Sequence, residues 1–375
     1  MFHQFSSFGT SQNSLIKCIA EVEISIASGS TSNTATLSAT VDKNKSIIFW
    51  QGTRTPTDAP DQAQIAARVE LTDGDTVTAT VNSVSSVSAA RIVRATVIEF
   101  YPWVIDGNVQ HTTVTVASGS TVGTGGAGSY VSADNSGREG RTYLGAITTA
   151  TGDSKRINSA FARIEAAISG SYSLVAIKGA TTGTMVAGVC QWIWATGVIK
   201  ARAFTTVNIT AGNASNAVTL SGTSPSVLAN CLTVWCGTTY SDGFTEHNAY
   251  LYQNSATQVT GVREQTTGQA TIEVLVFEFL SKWVGQGKQA AQTTFTAGQA
   301  TEDVTITAIK NVGGSVPAKN LTNYLHFTID NAFGSINYVM NTVKTQSSTA
   351  IRHERGTGTD FGNVPVCSME AFEFR

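Results

Sequence analysis

The sequence predicts an all-β protein of four tandem antiparallel β-sandwich domains, each of about 90 residues and related by an internal repeat. Three observations predict it: a strand-and-turn phrase that returns four times, an aromatic closing strand that follows each copy at a steady interval, and a two-residue hydrophobic period within the strands.

The opening phrase reads VEISIASGS at 22–30, VTVASGS at 114–120, VNITAGN at 207–213 and TTFTAGQ at 293–299. Its turn glycines, Gly29, Gly119, Gly212 and Gly298, are 90, 93 and 86 residues apart. Solenoid repeats run about 20–50 residues and lean on neighbours for a core, whereas about 90 residues can form a small sandwich with a core of its own. Val22, Ile24 and Ile26 alternate with Glu23 and Ser25, and Val114 and Val116 with Thr113 and Thr115. That is the pattern of a half-buried pleated strand.

The closing phrase is ATVIEFYPWV at 95–104, VCQWIW at 189–194, VLVFEF at 274–279 and MEAFEF at 369–374. Its aromatics, Phe100, Trp192, Phe279 and Phe374, follow the turn glycines by 71, 73, 67 and 76 residues. Between the two phrases lie IFWQGT at 48–53 and TVWCGT at 233–238, with weaker counterparts LGAITT at 144–149 and HFTIDN at 326–331. Trp50 and Trp235 have apolar neighbours on both sides and a glycine two residues later. They read as core aromatics followed by a bulge or strand end, sugar stacking being the other use of such a residue.

ELTDGDTVTATV at 70–81 is a hairpin with Asp73-Gly74 at its tip. NSAFARIEAAISG at 158–170 places Phe161, Ile164, Ala167 and Ile168 at helical spacing, but its counterparts AQIAARVEL and EHNAYLYQN include a strand-like aromatic run, so a strand is expected. Thr, Ser, Ala, Gly and Val dominate the chain and biased composition breeds look-alikes. Three landmarks in a fixed order argue for true repetition. The units are an N-terminal arm at 1–16 and repeats at 17–106, 107–200, 201–287 and 288–375.

Charged residues make up 13% of the 375 residues, about half the usual share. With 24 basic against 26 acidic residues and no basic block, nothing suits a phosphate backbone, so nucleic acid is excluded as a partner. No apolar run approaches the 18 or so residues of a membrane span, and the first residues lack a signal peptide's basic start and apolar core. Folding in a cytosol without membrane insertion is expected. Cys18, Cys190, Cys231, Cys236 and Cys367 are odd in number and fall at inequivalent places, which reads as small buried residues and not a disulfide framework. The N-x-Ser/Thr sequons at Asn208, Asn213 and Asn320 are expected by accident in a Thr-rich chain.

The histidines, His3, His111, His247, His326 and His353, occupy different phases of the repeat, and no metalloprotease, zinc, phosphate-loop or nucleophile-elbow motif occurs. Asp73 and Asp75 read as turn residues and not as calcium ligands. No catalytic, metal or cofactor residue is therefore assigned, and the chain is not expected to be an enzyme. One polar position does recur: Glu99, Glu278 and Glu373, with Gln191 in the second repeat, lie among apolar residues of the closing strand. The strand before carries Lys178, Arg263 and Arg352. Antiparallel neighbours of that kind would form structural cross-strand pairs on the solvent-facing side.

VEISIASGSTSNTATLSATVDKNKSIIFWQG, followed by ARIVRATVIEFYPW, resembles the accessory domains of virion structural proteins of tailed bacteriophages. The resemblance covers all four repeats, the second departing most, and carries no functional residues with it. It implies a non-enzymatic component of the virion, made in the host cytoplasm: a capsid decoration, neck, tail or fibre protein that binds other virion proteins and forms a homo-oligomer. Phe2, Phe5 and Phe8 are candidates for an assembly arm that docks on a neighbouring subunit, packing on the first domain being the alternative. The competing function is recognition of a host-surface glycan by a lectin-like module, with Tyr101, Trp103, Tyr240 and Trp283 as candidate aromatics.

Overall fold

The computed structural model describes residues 14–55, 67–81, 90–125, 137–149, 162–169, 171–241, 249–264, 266–295, 299–307, 320–328, 341–355 and 366–375. Their regular structure is β-strand, with short 3-10 turns. The first repeat holds β1 (Ile16–Ile26), β2 (Ser32–Thr36), β3 (Ser46–Arg54), β4 (Ala67–Leu71), β5 (Thr76–Val81) and β6 (Arg91–Phe100). The second holds β7 (Gln110–Val116), β8 (Val122–Thr124), β9 (Glu139–Thr148), β10 (Ala162–Ser169), β11 (Ser171–Lys178) and β12 (Met185–Ile193). The third holds β13 (Ile199–Ile209), β14 (Ser215–Thr219), β15 (Ser221–Gly222), β16 (Cys231–Tyr240), β17 (Ala249–Ser255), β18 (Gln258–Arg263) and β19 (Ala270–Phe279). The fourth holds β20 (Val284–Thr294), β21 (Thr301–Thr305), β22 (Asn320–Thr328), β23 (Asn341–Ser347), β24 (Ala350–Arg355) and β25 (Val366–Phe374). The segment with helical spacing is the strand β10.

Local sequence explains the strands. In β1 the apolar Ala20, Val22, Ile24 and Ile26 are buried while Glu21, Glu23 and Ser25 keep solvent contact. β16 and β19 are buried along their whole length, their polar Thr233, Thr238, Thr239, Glu273 and Glu278 included. Gly29, Gly119 and Gly212 turn the chain at φ of 77, 86 and 88°, the left-handed region that favours glycine. Gly298 lies outside the described residues, as do Phe2, Phe5 and Phe8. Leu15 and Ile16, at the end of the expected arm, are already part of the core.

Among the described residues all strand pairing is antiparallel. Opening, closing and Trp/Gly strands form one ladder per repeat: β1-β6-β3, β7-β12-β9, β13-β19-β16 and β20-β25-β22. The other strands form a second, β2-β5-β4, β8-β11-β10, β14-β18-β17 and β21-β24-β23, except the two-residue β15, which adds to β13. Each ladder lies inside one repeat, but ladders of neighbouring repeats join into common sheets across the repeat boundaries, which self-contained tandem sandwiches would not do. β4 joins β9, β10 joins β16, and β23 of the last repeat joins β3 of the first, so the circle closes. β17 lies beside β22. The result is a four-blade, propeller-like arrangement in which each blade draws on two repeats. Joining neighbours covers strand edges that would otherwise present unpaired N–H and C=O groups.

The joints depend on the glycine after the landmark aromatic. Gly52, Gly145 and Gly237 have φ of 98, 81 and 102°, and a Cβ on any of them would overlap the carbonyl of Asn341, Ala67 or Ala162 on the joining strand. The bulge register places His326 at this point in β22, and there no ladder bridge links β17 and β22 among the described residues.

The same register aligns Trp50, Tyr143, Trp235 and Tyr324, which stand immediately before the four bulges. Their side chains meet. Trp50 stacks on Trp235 with centroids 5.7 Å apart and rings 26° from parallel. Tyr143 sets its ring edge-on to both indoles, at 6.2 and 5.2 Å, and Tyr324 does likewise at 5.8 and 6.4 Å. Two large indoles thus face each other across the centre and two smaller phenols fill the flanks. A second circuit joins Phe100 to Trp194, Trp194 to Phe279 and Phe279 to Phe374 at 5.3 Å each, and Phe374 back to Phe100 at 6.3 Å. The counterpart of Phe100 in the second repeat is therefore Trp194. Trp192, expected there from its Gln-Trp spacing, is also buried but stands two residues earlier, against Trp194.

Because each ring belongs to a different repeat, truncating one should weaken the whole body. Trp50→Ala or Trp235→Ala should cost about 3–5 kcal/mol, the range for buried aromatic deletions, and calorimetry should show one unfolding transition shifted to lower temperature. Near-native melting of both variants would contradict the central role of the rings.

Candidate functional site

Opposite the four bulges, the closing strands place Arg94, Gly188, Glu273 and Ser368. Their partners on the opening strands are Glu23, Thr113, Thr206 and Gln292. One structural position therefore carries four different chemistries. At the first joint, Arg68 lies over Gly188 and binds Glu70 at 3.2 Å. At the second, Glu273 receives Arg141 at 2.7 Å and Thr206 at 2.8 Å, while Arg163 binds Glu165 at 2.6 Å and Thr239 at 2.6 Å. The residue opposite the joint glycine is Arg68 in the first case, Arg163 in the second and Thr342 at the closing joint between repeats four and one.

A short side chain in place of two arginines coincides with a pocket of about 220 Å³ at that closing joint. Its polar walls are Glu21, Glu23, Gln51, Arg94, Thr96 and Lys344, and Val22, Ala95 and Val343 complete it. Arg94 donates from Nε to Glu23 at 2.9 Å and from Nη2 to Glu354 at 2.9 Å. Glu354 also receives Arg54 at 3.0 Å and Lys344 at 2.9 Å. Glu21 accepts from the Thr345 hydroxyl at 2.6 Å. Gln51 donates to Thr96 Oγ1 at 3.1 Å and to the Thr322 carbonyl at 2.6 Å, which fixes the orientation of its amide. Two polar atoms of these buried walls are left without a partner, Gln51 Oε1 and Arg94 Nη1.

The charges are tied in a balanced network. Burial alone would raise the Glu354 carboxyl, but the Lys344 hydrogen bond and the charges of Arg94 and Arg54 outweigh it and hold the group below its ordinary value. Glu21 keeps solvent contact yet is hemmed in by surrounding strands, and that enclosure pushes its carboxyl up despite the Thr345 bonds. Burial likewise raises Glu273, against the pull of Arg141. The pocket thus offers hydrogen-bonding groups of both kinds around a small space, with Glu23, Arg94 and Lys344 in ion pairs and Glu21 bound to Thr345.

Several residues singled out in the sequence stand elsewhere. Glu99, Glu278 and Glu373 are buried and do not pair with the preceding strand, because that strand belongs to the other ladder. Glu99 receives Lys17 at 2.7 Å and the Asp42 N–H at 3.1 Å, Glu278 receives Lys200 at 3.1 Å and the Ser226 N–H at 2.7 Å, and Glu373 accepts the Gln286 N–H at 3.4 Å. Gln191 donates to Gln110 at 3.0 Å. Lys178 and Arg263 instead bind turn carbonyls, Lys178 that of Ala117 at 3.3 Å and Arg263 those of Thr210 at 2.7 Å and Asn213 at 3.0 Å. In the fourth repeat this role falls to Arg355, which binds the Gln299 carbonyl at 2.7 Å. Arg352 is paired with Asp303 at 2.7 Å.

The candidate glycan aromatics do not form a platform. Tyr240 and Trp283 are buried, the Tyr240 hydroxyl accepting from the Ala249 N–H at 3.2 Å and Trp283 Nε1 donating to the Gly197 carbonyl at 3.1 Å. Trp103 lies half-buried against Trp283 at 5.3 Å, and Tyr101 is exposed. Cys18 is half-buried, contrary to expectation, while the other four cysteines are buried. Burial pushes the thiols of Cys190 and Cys236 up to about 12. Asp73 accepts the Asp75 N–H at 3.0 Å, as a turn residue does. Among the described residues no group of three His, Cys, Asp or Glu is placed to hold a metal ion, and no helix is long and apolar enough to cross a membrane.

A carboxylate held below its ordinary pKa stabilises the fold above about pH 4.3, the unfolded value, and that contribution is lost as pH falls through the folded value. Glu354→Gln should therefore melt below the wild type at pH 7, and the difference should shrink on acidification through the carboxylate range. Parallel melting curves from pH 7 to pH 3 would contradict the assignment.

No protein-family model matches the sequence, and no curated protein is significantly similar to it.

Proposed function

We propose that the chain is a non-enzymatic structural protein of a bacteriophage particle, binding other virion proteins as a capsid decoration, neck, tail or fibre component. The observation that carries this reading is the filled centre. Two circuits of aromatic rings occupy the place where a ring of blades can hold a ligand, so the middle of the molecule serves its cohesion. A cohesive body with few charges suits a part whose faces are covered by neighbours. The same reading takes each repeat as a sandwich-like unit of two ladders, fused in one chain so that weak contacts to a lattice add up.

Among the described residues Tyr101, Val122 and Val227 are the large hydrophobic side chains with high exposure. Attachment is accordingly expected through polar, hydrogen-bonding faces and through the Phe2, Phe5, Phe8 segment. Since Leu15 and Ile16 belong to the core, the informative truncation removes residues 2–13. It should leave thermal unfolding unchanged, while sedimentation shows loss of the homo-oligomer and weaker co-sedimentation with purified particles. A full-length chain that sediments as a monomer and never accompanies particles would overturn the proposal.

A further inference from the structure

We propose that Lys288, Gln253 and Glu370 form an intramolecular cross-linking site, at which the Lys288 amine displaces ammonia from the Gln253 carboxamide and joins the fourth repeat to the third through an isopeptide bond. The chain is its own substrate in this step, which is independent of the particle role.

Comparison of the repeats identifies it. Counted from the bulges, Glu370 stands where the other closing strands carry Thr96, Cys190 and Leu275. Counted along the second ladder, Gln253 stands where the other repeats carry Leu71, Ala166 and Thr345. Acid and amide thus meet at one joint, the one between β17 and β22, which has no ladder bridge among the described residues. The opening strand β20 delivers Lys288 to them. The group is shielded from solvent: the Lys288 and Glu370 side chains are 3% and 0% exposed, and Gln253 and Thr233 are 3% and 0% exposed.

Each reacting group is in place. Lys288 Nζ lies 2.7 Å from Glu370 Oε2, an oxygen that accepts no hydrogen bond from any other group, and donates to Gln253 Oε1 at 2.8 Å. Thr233 Oγ1 accepts from the same amine and donates to Gln253 Oε1 at 3.1 Å, while Gln253 Nε2 donates to the Ala256 carbonyl at 3.2 Å, so the oxygen end of the amide faces the lysine. In the reaction Glu370 takes one proton from the ammonium, and the freed lone pair on Nζ attacks Gln253 Cδ. Charge then gathers on Oε1 under the Thr233 hydroxyl. Glu370 hands its proton to Nε2 and takes the second proton from Nζ. The Cδ–Nε2 bond breaks, and the ammonia released carries that proton away as ammonium. One amide is exchanged for another, so neither an oxidant nor an activating group is required, and escape of ammonia drives the step forward. Reactants already held in contact react as a unimolecular pair, and exclusion of water keeps hydrolysis from competing. The bond would close a loop from 253 to 288 and constrain the unfolded chain as a disulfide does.

The test is the intact mass of the purified full chain, followed by protease digestion and sequencing of any joined peptides. The wild type should weigh less than its sequence by one ammonia, with Lys288 joined to Gln253 in a branched peptide that reducing agents leave intact. Lys288→Met and Glu370→Gln should carry the full sequence mass, calorimetry verifying that each is folded. The wild-type mass decides alone should neither variant fold. Four results would overturn the proposal: a folded wild type at full sequence mass after days at neutral pH, loss of one water with Lys288 joined to Glu370, a link to Asn323 in place of Gln253, or an ammonia loss that survives Lys288→Met.

Discussion

Trp50 stacks on Trp235 across the centre with Tyr143 and Tyr324 edge-on, and this group of rings forms only when all four repeats are present and the circle is closed. Stacked and edge-on pairs each contribute about 0.5–1.5 kcal/mol beyond the area they bury. Five such contacts share four side chains, so they stand or fall together. The second circuit, through Phe100, Trp194, Phe279 and Phe374, adds the same coupling farther along the closing strands. The joint glycines follow from this demand: bringing the aromatic strands together also brings β3, β9 and β16 onto the carbonyls of the joining strands, where a Cβ has no room.

The shared aromatic centre and the side chains that differ from joint to joint occupy different layers of the molecule. The rings are alike in every repeat because each must reach the same centre. Opposite the bulges the side chains differ at each joint, because that position is constrained only by its local partners. An ion pair fills the second joint, Arg68 covers a glycine at the first, and a hydrogen-bonded pocket remains at the closing joint. At the joint between repeats three and four, Lys288 pairs with Glu370 at 2.7 Å, and the Thr233 N–H donates to the same carboxylate at 2.7 Å. Removing one partner of a buried pair leaves the other charge stranded at a cost of about 3–5 kcal/mol, which ties particular repeats together as neighbours.

The all-β class was legible because alternation, turn glycines and closing aromatics are local signals, and β10 followed from its counterparts against its own helical spacing. Tyr143 and Tyr324 escaped notice although the sequence aligns Tyr143-Leu144-Gly145 and Tyr324-Leu325-His326 with Trp50-Gln51-Gly52 and Trp235-Cys236-Gly237. A search for tryptophan passes over tyrosine, and the centre accommodates two of each. The place of Trp194 was misread by two residues for a similar reason: Gln191 imitates the acid before Phe100, but the ladder register is set by the bulge and not by that likeness. Sheets crossing the repeat boundaries left no local mark, since whether an edge strand pairs within its own unit or with the next depends on contacts far apart in the chain. The pocket was invisible for the same reason, Thr342 and Arg94 being brought together only by closure.

Native-state hydrogen exchange tests the central claim, that four repeats are locked into one body by rings from each. Amides of β3, β9, β16 and β22 should exchange through a common opening whose free energy equals that of global unfolding and falls equally in all four strands when Trp50 is truncated. Exchange in which β3 and β22 open freely while β9 and β16 keep full protection would contradict it, because the repeats would then be holding themselves together one at a time.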